Sequence, residues 1–443
     1  MNLHRMLKQR EADGKPLRVA LIGAGKFGSM FLSQAQRTPG IRLVAVADLA
    51  PDRARAALTK VGWPAEALNA ASVHDAVRSK KVYFSDDALA VIADPGVEIV
   101  IDATGQPAAG IQHVLACCEH GKHVIMVNVE ADALAGPLLA KRAREAGIVY
   151  SLAYGDQPAL ICEMVDWARA SGFEVVAAGK GTKYLPEFHR STPETVWGHY
   201  GLTEEQARAG GMNKQMFNSF LDGTKSAIEM AAIANATGLA PPEDGLAFPP
   251  CGCHDLPRIL RPRQEGGVLS GRGMVEVVSS VERDGRPVFN DLRWGVYAVF
   301  AADSDYDARC FAEYGVVTDP SGRYAALWRP YHFIGLELGV SVASVALRGE
   351  PTGAPTAWRA DVVAVAKRAL KAGEVLDGEG GATVWGKCVP AARSAAEHAL
   401  PIGLAHRLTL RRDVAEGAVL SEADVALDPT ADAVALRRAM APA

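Results

Sequence analysis

The stretch LRVALIGAGKFG, residues 17–28, decides the fold of this chain. An apolar run typical of a buried parallel strand ends in the turn that carries Gly23, Gly25 and Gly28, and a helical pattern follows. The first glycine permits a tight turn, the second lets a pyrophosphate approach the backbone, and the third allows the helix to pack closely on the strand. The helix N-terminus then offers free N–H groups to an anion. The stretch therefore predicts a dinucleotide-binding unit over residues 17–48.

The chain on either side of this turn extends the same pattern. A second apolar strand over residues 41–47 runs into Asp48, and further buried runs follow at 97–101 and 123–127 with helical patterns between them. Strands that alternate with helices predict a parallel, doubly wound sheet. We therefore expect an α/β fold with a Rossmann domain over residues 1–150.

Coenzyme choice stays open between NAD and NADP. Asp48 stands where a carboxylate binds the adenine-ribose hydroxyls, and its charge disfavours a 2′-phosphate. Arg53 or Arg42 could instead turn to accept that phosphate. The loop 102–107 follows a strand at the ligand-binding edge of the sheet, although it could equally be an ordinary strand-to-helix loop. The residues predicted to bind the coenzyme are Gly23, Ala24, Gly25, Lys26, Phe27, Gly28, Asp48, Arg53, Thr104, Gly105, Asn128 and Glu130.

From about residue 150 the pattern changes to that of an α+β domain for substrate chemistry and subunit contact, predicted over 151–348. Its strands are expected at 174–178, 274–282 and 294–301. The run 331–347 predicts a helix that packs back onto the nucleotide domain, and a Gly/Pro-rich break follows it.

Two segments of the second domain carry the chemistry. The loop 179–184 follows a strand and brings glycine residues together with Lys180 and Lys183. This composition suits a phosphate, but it is also that of an ordinary solvated loop. The segment 214–235 predicts one helix with a single polar face, which is either part of an active site or a solvated stripe of i,i+4 pairs. That face holds Lys214, Asn218, Asp222, Lys225 and Glu229.

Several other polar residues could have a role. The cluster Arg258, Arg261 and Arg263 could bind an anion, or be a surface loop. The cysteines of Cys251-Gly-Cys253-His254 lack a second ligand pair at finger-like spacing, which argues against structural zinc. His199 and His332 are possible acid–base groups, but a lone histidine is more often an ordinary polar residue.

Several motifs carry resemblances to known families. Val127-Asn-Val-Glu130 resembles the homoserine dehydrogenase group, but Glu130 replaces the functional lysine of those enzymes, which counts against homoserine as substrate. The segments 366–380 and 409–425 share a basic, x-G-x-V-L repeat that resembles the small β-clip SAF domain, predicted here over 356–430.

Over nearly its whole length the chain resembles the 1-deoxy-D-xylulose-5-phosphate reductoisomerase-like proteins of some bacteria, through GAGKFG, VNVEADALAGPLLAK, YGDQPA, STPETVWGH, MFNSFLDGTK, IANATGL and GLELGVSVASVALRGEPTG. The resemblance implies NADPH, with NADH as the other coenzyme, a divalent metal (Mg²⁺ or Mn²⁺) and formation of 2-C-methyl-D-erythritol 4-phosphate for isoprenoid synthesis. Such a metal would stabilise oxyanion charge, and its candidate ligands are the carboxylates of Glu130, Asp156 and Asp222. The predicted catalytic residues are Lys180, Asp222, Lys225 and Glu229, and the predicted substrate-binding residues are Lys183, Lys214, Asn218 and Arg261.

Two alternatives remain. One is a homoserine-dehydrogenase-like NAD(P)-dependent dehydrogenase of another small hydroxy acid or amino alcohol, and the other is a coenzyme-binding sensor or assembly protein. A net charge of −4 without a long basic block argues against nucleic acid as a partner. The charged N-terminus and the lack of a membrane-length apolar run predict a cytoplasmic protein without membrane contact. Its expected partners are a small phosphorylated substrate and further copies of itself, as a dimer or tetramer.

Overall fold

The structure, a computed structural model, describes residues 2–442. Its strands are β1 Leu17–Ile22, β2 Ile41–Ala47, β3 Tyr83–Ser85, β4 Ile99–Asp102, β5 His123–Met126, β6 Tyr150–Leu152, β7 Glu174–Thr182, β8 Met274–Ser279, β9 Val296–Ala301, β10 Tyr324–Arg329, β11 Ala360–Ala366, β12 Val375–Asp377, β13 Val384–Pro390 and β14 His406–Thr409. Its α-helices are α1 Leu3–Ala12, α2 Lys26–Ala35, α3 Pro51–Lys60, α4 Val73–Ser79, α5 Ala88–Ala93, α6 Pro107–His120, α7 Val129–Glu145, α8 Gln157–Ala170, α9 Val196–Tyr200, α10 Glu204–Ala209, α11 Lys214–Leu221, α12 Thr224–Thr237, α13 Leu256–Ile259, α14 Asp305–Glu313, α15 Gly339–Arg348, α16 Ala391–Ala396 and α17 Asp432–Arg438.

The chain divides into two compact units, and the first holds the nucleotide fold. This unit 1 comprises residues 1–160 and 333–356. Its six strands form one parallel sheet in the order β3-β2-β1-β4-β5-β6, with β1 hydrogen-bonded to both β2 and β4. Because β1, β2, β4 and β5 are buried almost throughout, they appear in the sequence as continuous apolar runs. The predicted α/β Rossmann class is confirmed.

The helix predicted over 331–347 begins later than expected. Helix α15 starts at Gly339, and it packs within unit 1 against α1 and β5. Gly335 has φ +78°, and a Cβ at this position would lie 2.6 Å from the carbonyl oxygen of Phe27. This left-handed residue in close backbone contact explains why the apolar pattern does not start a helix at 331.

Unit 2 comprises residues 161–332 and 357–443 and holds the mixed sheet that the sequence indicated. The sheet order is β10-β9-β7-β8, in which β7 runs parallel to β8 and antiparallel to β9. The predicted strands at 174–178, 274–282 and 294–301 correspond to β7, β8 and β9. Helix α12 packs mainly against β8, β11 and β13 of this unit.

The prediction of one continuous helix over 214–235 is wrong. The chain forms α11 up to Leu221 and α12 from Thr224, with a corner at Asp222 and Gly223 between them. Gly223 has φ +90°, a conformation that ends one helix and that side-chain-bearing residues rarely adopt. The polar residues of the segment therefore do not form one stripe.

The last residues, 357–443, belong to unit 2. Strands β11 and β13 pair antiparallel, as do β12 and β14. The two repeat segments contact each other, since the main-chain groups of Leu370 and Val414 exchange hydrogen bonds of 2.8 and 3.0 Å. The three-part division of the chain and the SAF resemblance stay predictions.

Candidate functional site

The glycine turn of unit 1 has the geometry that a bound pyrophosphate needs. Gly23 has φ +89°, and a Cβ there would lie 2.8 Å from the carbonyl oxygen of Ala103. Gly28 packs so closely on the turn that a Cβ would overlap the carbonyl of Gly23. At Gly25 an added Cβ would meet no atom within 4 Å, so the backbone at the N-terminus of α2 is open to a ligand. These residues fit a dinucleotide.

Asp48 fixes this turn. Its Oδ2 accepts a hydrogen bond of 2.9 Å from the amide of Ala24, and its Oδ1 accepts one of 2.9 Å from Ala50. Arg53 Nη2 lies 3.0 Å from Oδ1. Burial raises the pKa of Asp48, but these amides and the guanidinium outweigh it, and the net pKa falls below its usual range. The carboxylate is therefore charged and lies between the turn and an exposed arginine.

A buried polar network lies at the ends of β4 and β5 in the same unit. Asp102 Oδ1 accepts hydrogen bonds from the amide and hydroxyl of Thr104, and Asp102 Oδ2 lies 3.0 Å from Nδ1 of His113. Asn128 donates to Oγ1 of Thr104 at 3.1 Å and to the carbonyl of Gln106 at 2.9 Å. The network holds the 102–107 loop at the sheet edge where ligands bind in such folds. His113 was not predicted from the sequence, because it lies inside an ordinary helical pattern.

Unit 2 contains a buried ion pair between the side chains of Lys180 on β7 and Glu229 on α12. Both residues are almost fully buried. Two charges are retained inside a protein only at a cost in desolvation, so a pair of this kind is a candidate functional group as well as a structural one. The sequence prediction named both residues, and the structure brings them together.

His332 lies at the same end of the sheet. Across the strands, Lys180 is in register with Val296, and Val296 with Arg329, three residues before His332. Nδ1 of His332 lies 2.8 Å from the carbonyl oxygen of Trp294. Because a carbonyl only accepts, Nδ1 carries the proton and Nε2 of the neutral ring is left as the acceptor.

The charges around His332 favour its neutral form. Burial is the largest influence and lowers its pKa, and the ammonium of Lys180 and the guanidinium of Arg329 act in the same direction. The Trp294 carbonyl and Glu229 oppose them, but the net pKa lies below the ordinary value of 6.5. The ring is therefore an available proton acceptor at neutral pH.

Both units match known oxidoreductase families. Residues 17–126 match the family described as "Oxidoreductase family, NAD-binding Rossmann fold", and residues 155–338 match "Oxidoreductase DRL, catalytic domain". This chain is an NAD(P)-dependent oxidoreductase. No curated protein matches its sequence.

Solved structures similar to this oxidoreductase include a probable dehydrogenase from Thermotoga maritima, with 15% identity, a TM-score of 0.39, and 76% of this chain and 90% of that chain covered. Another is a homoserine dehydrogenase from Thiobacillus denitrificans, with 20% identity, a TM-score of 0.36, and 51% and 50% covered. A putative oxidoreductase from Bacillus subtilis has 12% identity, a TM-score of 0.37, and 77% and 91% covered.

Asp222 of the oxidoreductase, predicted as a catalytic and metal-binding carboxylate, lies in a different environment. Its Oδ2 accepts a 2.7 Å hydrogen bond from the ammonium of Lys367, and its Oδ1 accepts from the amide of Thr224 at 2.9 Å. Asn218 is also fully buried, and its amide donates to the carbonyls of Ser191 and Gly380. Both side chains thus join the α11–α12 corner to the C-terminal segment.

The other predicted substrate residues are spread over unit 2. The ammonium of Lys183 donates to the carbonyl of His199 at 2.6 Å, Lys214 is exposed beside Glu194, and Arg261 pairs with buried Asp319 at 2.6 Å. Lys225 lies in the first turn of α12, half-buried. Of the predicted set in the described part of this unit, Lys180 and Glu229 form an ion pair with each other.

The predicted metal is not supported by the residues of the structure. Glu130 and Asp156 belong to unit 1, while Asp222 belongs to unit 2 and its Oδ2 already accepts a hydrogen bond from the ammonium of Lys367. Within residues 2–442, no three His, Cys, Asp or Glu side chains form a group that could hold a metal ion. Burial also raises the pKa of the Cys251 and Cys253 thiols, which disfavours the thiolates that zinc requires.

Within the same described range, no helix has the length and apolar character needed to cross a lipid bilayer.

The position of Arg53 makes coenzyme preference testable. Its side chain is 71% exposed beside Asp48, whereas Arg42 donates to the carbonyl of Val77 at 3.2 Å. We expect Arg53→Ala to weaken NADPH binding relative to NADH by about tenfold, the size of one lost charged contact to phosphate. Fluorescence titration with both coenzymes measures the ratio. Arg42→Ala is the matched control, and an equal shift in both variants would contradict the assignment.

Proposed function

We propose that this oxidoreductase transfers a hydride between a nicotinamide coenzyme and the carbonyl carbon of a small substrate that binds beside Lys180, Glu229 and His332. The observation that carries the proposal is the buried Lys180–Glu229 ion pair with His332 at the same sheet end. When bound, the coenzyme supplies or accepts the hydride at its nicotinamide ring.

The three side chains have complementary roles. As a carbonyl is reduced, negative charge develops on its oxygen, and the ammonium of Lys180 stabilises that charge by donating a hydrogen bond. Glu229 holds this ammonium in place through the buried ion pair. In the oxidative direction, Nε2 of His332 takes the proton of the substrate hydroxyl while the hydride leaves its carbon.

The finer proposal concerns the substrate. The sequence resemblance favours 1-deoxy-D-xylulose 5-phosphate, which rearranges before reduction, over a hydroxy acid or amino alcohol that is simply oxidised. Arg293 near Lys183 and Arg329 near His332 add positive charge to this part of unit 2, which suits a phosphate. No step is assigned to a metal, because the predicted ligands do not form a site.

The test is coenzyme oxidation by the purified chain. NADPH and NADH absorbance should fall on addition of 1-deoxy-D-xylulose 5-phosphate, assayed with and without Mg²⁺, and the product should be 2-C-methyl-D-erythritol 4-phosphate by mass spectrometry and NMR. Activity on a panel of hydroxy acids and amino alcohols instead would favour the dehydrogenase alternative. If no substrate in either panel changes the coenzyme, the proposal fails.

The role of His332 predicts a pH profile. Since its pKa lies below 6.5, kcat/KM in the oxidative direction should stay high at neutral pH and fall only as the pH drops below that value. His332→Gln should lower kcat by about 100-fold and remove this acid limb. His199→Gln is the control, and an unchanged limb in the His332 variant would exclude His332 as the base.

A further inference from the structure

Unit 2 contains a cavity of about 180 Å³ whose lining includes neither Lys180 nor Glu229. Two aromatic stacks form part of its wall: Trp385 lies on His189 with ring centroids 3.8 Å apart, and Phe248 lies on Tyr184 at 4.0 Å. His189 is held on both ring nitrogens, by the hydroxyl of Tyr184 at 2.9 Å and the carbonyl of Asp222 at 2.7 Å. This part of the wall is therefore flat and held in place by stacking and hydrogen bonds.

Lys387 supplies the one lysine of this lining. Its stem lies along Gly245, where an added Cβ would be 2.8 Å from Cε. Burial is the main cause that lowers the pKa of Lys387, and the nearby Arg393 lowers it further. The carboxylates of Asp244 and Glu397 act in the opposite direction, but the net pKa lies below its ordinary value. Across residues 2–442, the Lys387 ammonium makes no hydrogen bond or ion pair, so its partial burial is offset only by the charges of Asp244 and Glu397 at longer range.

Among the described residues, Asp244, the acidic residue of the lining, makes no ion pair with the ammonium of Lys387. Asp244 lines the cavity, but its Oδ1 is bound by Arg393 at 3.1 Å. Arg393 also donates to the carbonyl of Glu243 at 2.7 Å, which fixes the guanidinium on that side. Arg393 is shared between Asp244 and Glu397, and Lys387 is the second cation of this group, whose ammonium an anion in the cavity can contact.

We propose that this cavity binds a small organic anion, with a carboxylate on the ammonium of Lys387 and a flat apolar body against Trp385 and Phe248. The cavity holds roughly the volume of six water molecules and is below the usual drug-sized range of about 300–1,000 Å³. The ligand is therefore a single-ring or short-chain acid. A carboxylate would restore to Lys387 the charge-assisted contact that its burial removes.

The cavity also contacts the helix that carries Glu229. Gly223 and Ala227 line it, and the amide of Gly386 donates to Oγ1 of Thr224 in the first turn of α12. A ligand here bears directly on that helix, so the site is regulatory in character. This last step rests on the proposed function, whereas the binding itself does not.

Benzoate is the probe for a direct test on the full chain, by saturation-transfer NMR titration. Benzoate should bind saturably in the millimolar range, Lys387→Met should weaken binding by about tenfold or more, and Lys387→Arg should retain most of it. Benzamide keeps the shape without the charge and should bind far less. Lys371→Met, which removes an exposed lysine from the same C-terminal segment, is the control and should bind as the wild type does.

Three results would overturn the proposal: no saturable benzoate binding, equal binding by the Lys387→Met variant, or equal binding of benzamide. Folding of each variant is checked by its melting temperature, and the Lys387→Arg variant keeps the test decisive if the methionine variant is unstable. Binding without any change in turnover would remove only the regulatory step. If the wild-type chain neither oxidises nor reduces the coenzyme with any substrate, the proposed function fails, but the binding result still stands.

Discussion

Replacement of Lys180 by methionine should lower kcat by about 1,000-fold while coenzyme affinity stays within a factor of two or three of the wild type. The ammonium is the group that meets the developing charge on the substrate oxygen, and methionine fills its volume without that charge. The coenzyme site lies in unit 1 and keeps its own contacts. Steady-state kinetics and coenzyme fluorescence titration measure the two quantities separately.

Stability has to be separated from catalysis in this experiment. Removing Lys180 leaves Glu229 as an unpaired buried charge, which costs about 3–5 kcal/mol for such pairs. The double variant Lys180→Met/Glu229→Gln removes both charges, so it should recover much of the stability and none of the activity. If turnover recovers together with stability, Lys180 is only a structural residue.

Lys122 provides the matched control. It is another buried lysine, and its ammonium donates to the carbonyls of Asp94 and Val97 at 2.8 Å. Lys122→Met should therefore cost stability without a specific loss of kcat in the folded fraction. Equal losses of kcat in the Lys122 and Lys180 variants would show that the measured effect is unfolding.

The sequence was most informative where structure depends on local pattern. The glycine turn at 23–28 and the parallel strands β1, β2, β4 and β5 follow from short apolar runs and glycine spacing. Lys180 was expected in a loop after a strand, but it lies within β7, which continues to Thr182. Strands β3 and β6 have only three residues each, too few for a recognisable period. They exist because the neighbouring strands β2 and β5 supply hydrogen-bond partners.

The candidate site was harder to predict from the sequence, because its contacts join distant parts of the chain. The stripe on 214–229 was expected to be continuous, yet the corner at Gly223 separates Asn218 from Glu229. Glu229 instead meets Lys180, and Asp222 meets Lys367, 145 residues further along the chain. Periodicity can indicate which residues share a helix face, but it contains no information about which segment packs on that face.

The contact between Asp222 and Lys367 predicts a large loss of stability in the Lys367→Met variant. The ammonium donates three hydrogen bonds of 2.7 Å, to Asp222 Oδ2 and to the carbonyls of Ser191 and Gly381. Both charged side chains are almost fully buried. Removal of the amine leaves the carboxylate and two carbonyls without their donor, so we expect a loss of about 3–5 kcal/mol.

The expected loss is large compared with the total free energy of unfolding of a protein. Proteins of ordinary stability unfold with only about 5–15 kcal/mol, so this single contact is a substantial part of what holds unit 2 together. Guanidinium denaturation of the full chain, followed by tryptophan fluorescence, should show an earlier transition for Lys367→Met. Lys371→Met is the control, because Lys371 is exposed and pairs with exposed Asp413, and its removal should change the midpoint little.

A second variant tests whether the pair, rather than the volume of Lys367, is responsible. Asp222→Asn removes the charge but keeps an oxygen for the amide of Thr224, which that side chain already binds. The double variant Lys367→Met/Asp222→Asn should therefore unfold later than Lys367→Met alone. If it unfolds at the same denaturant concentration, the loss comes from packing. Recovery in the double variant would instead mean that the C-terminal segment is locked to the α11–α12 corner by charge, and that the helix carrying Glu229 depends on that segment for its position.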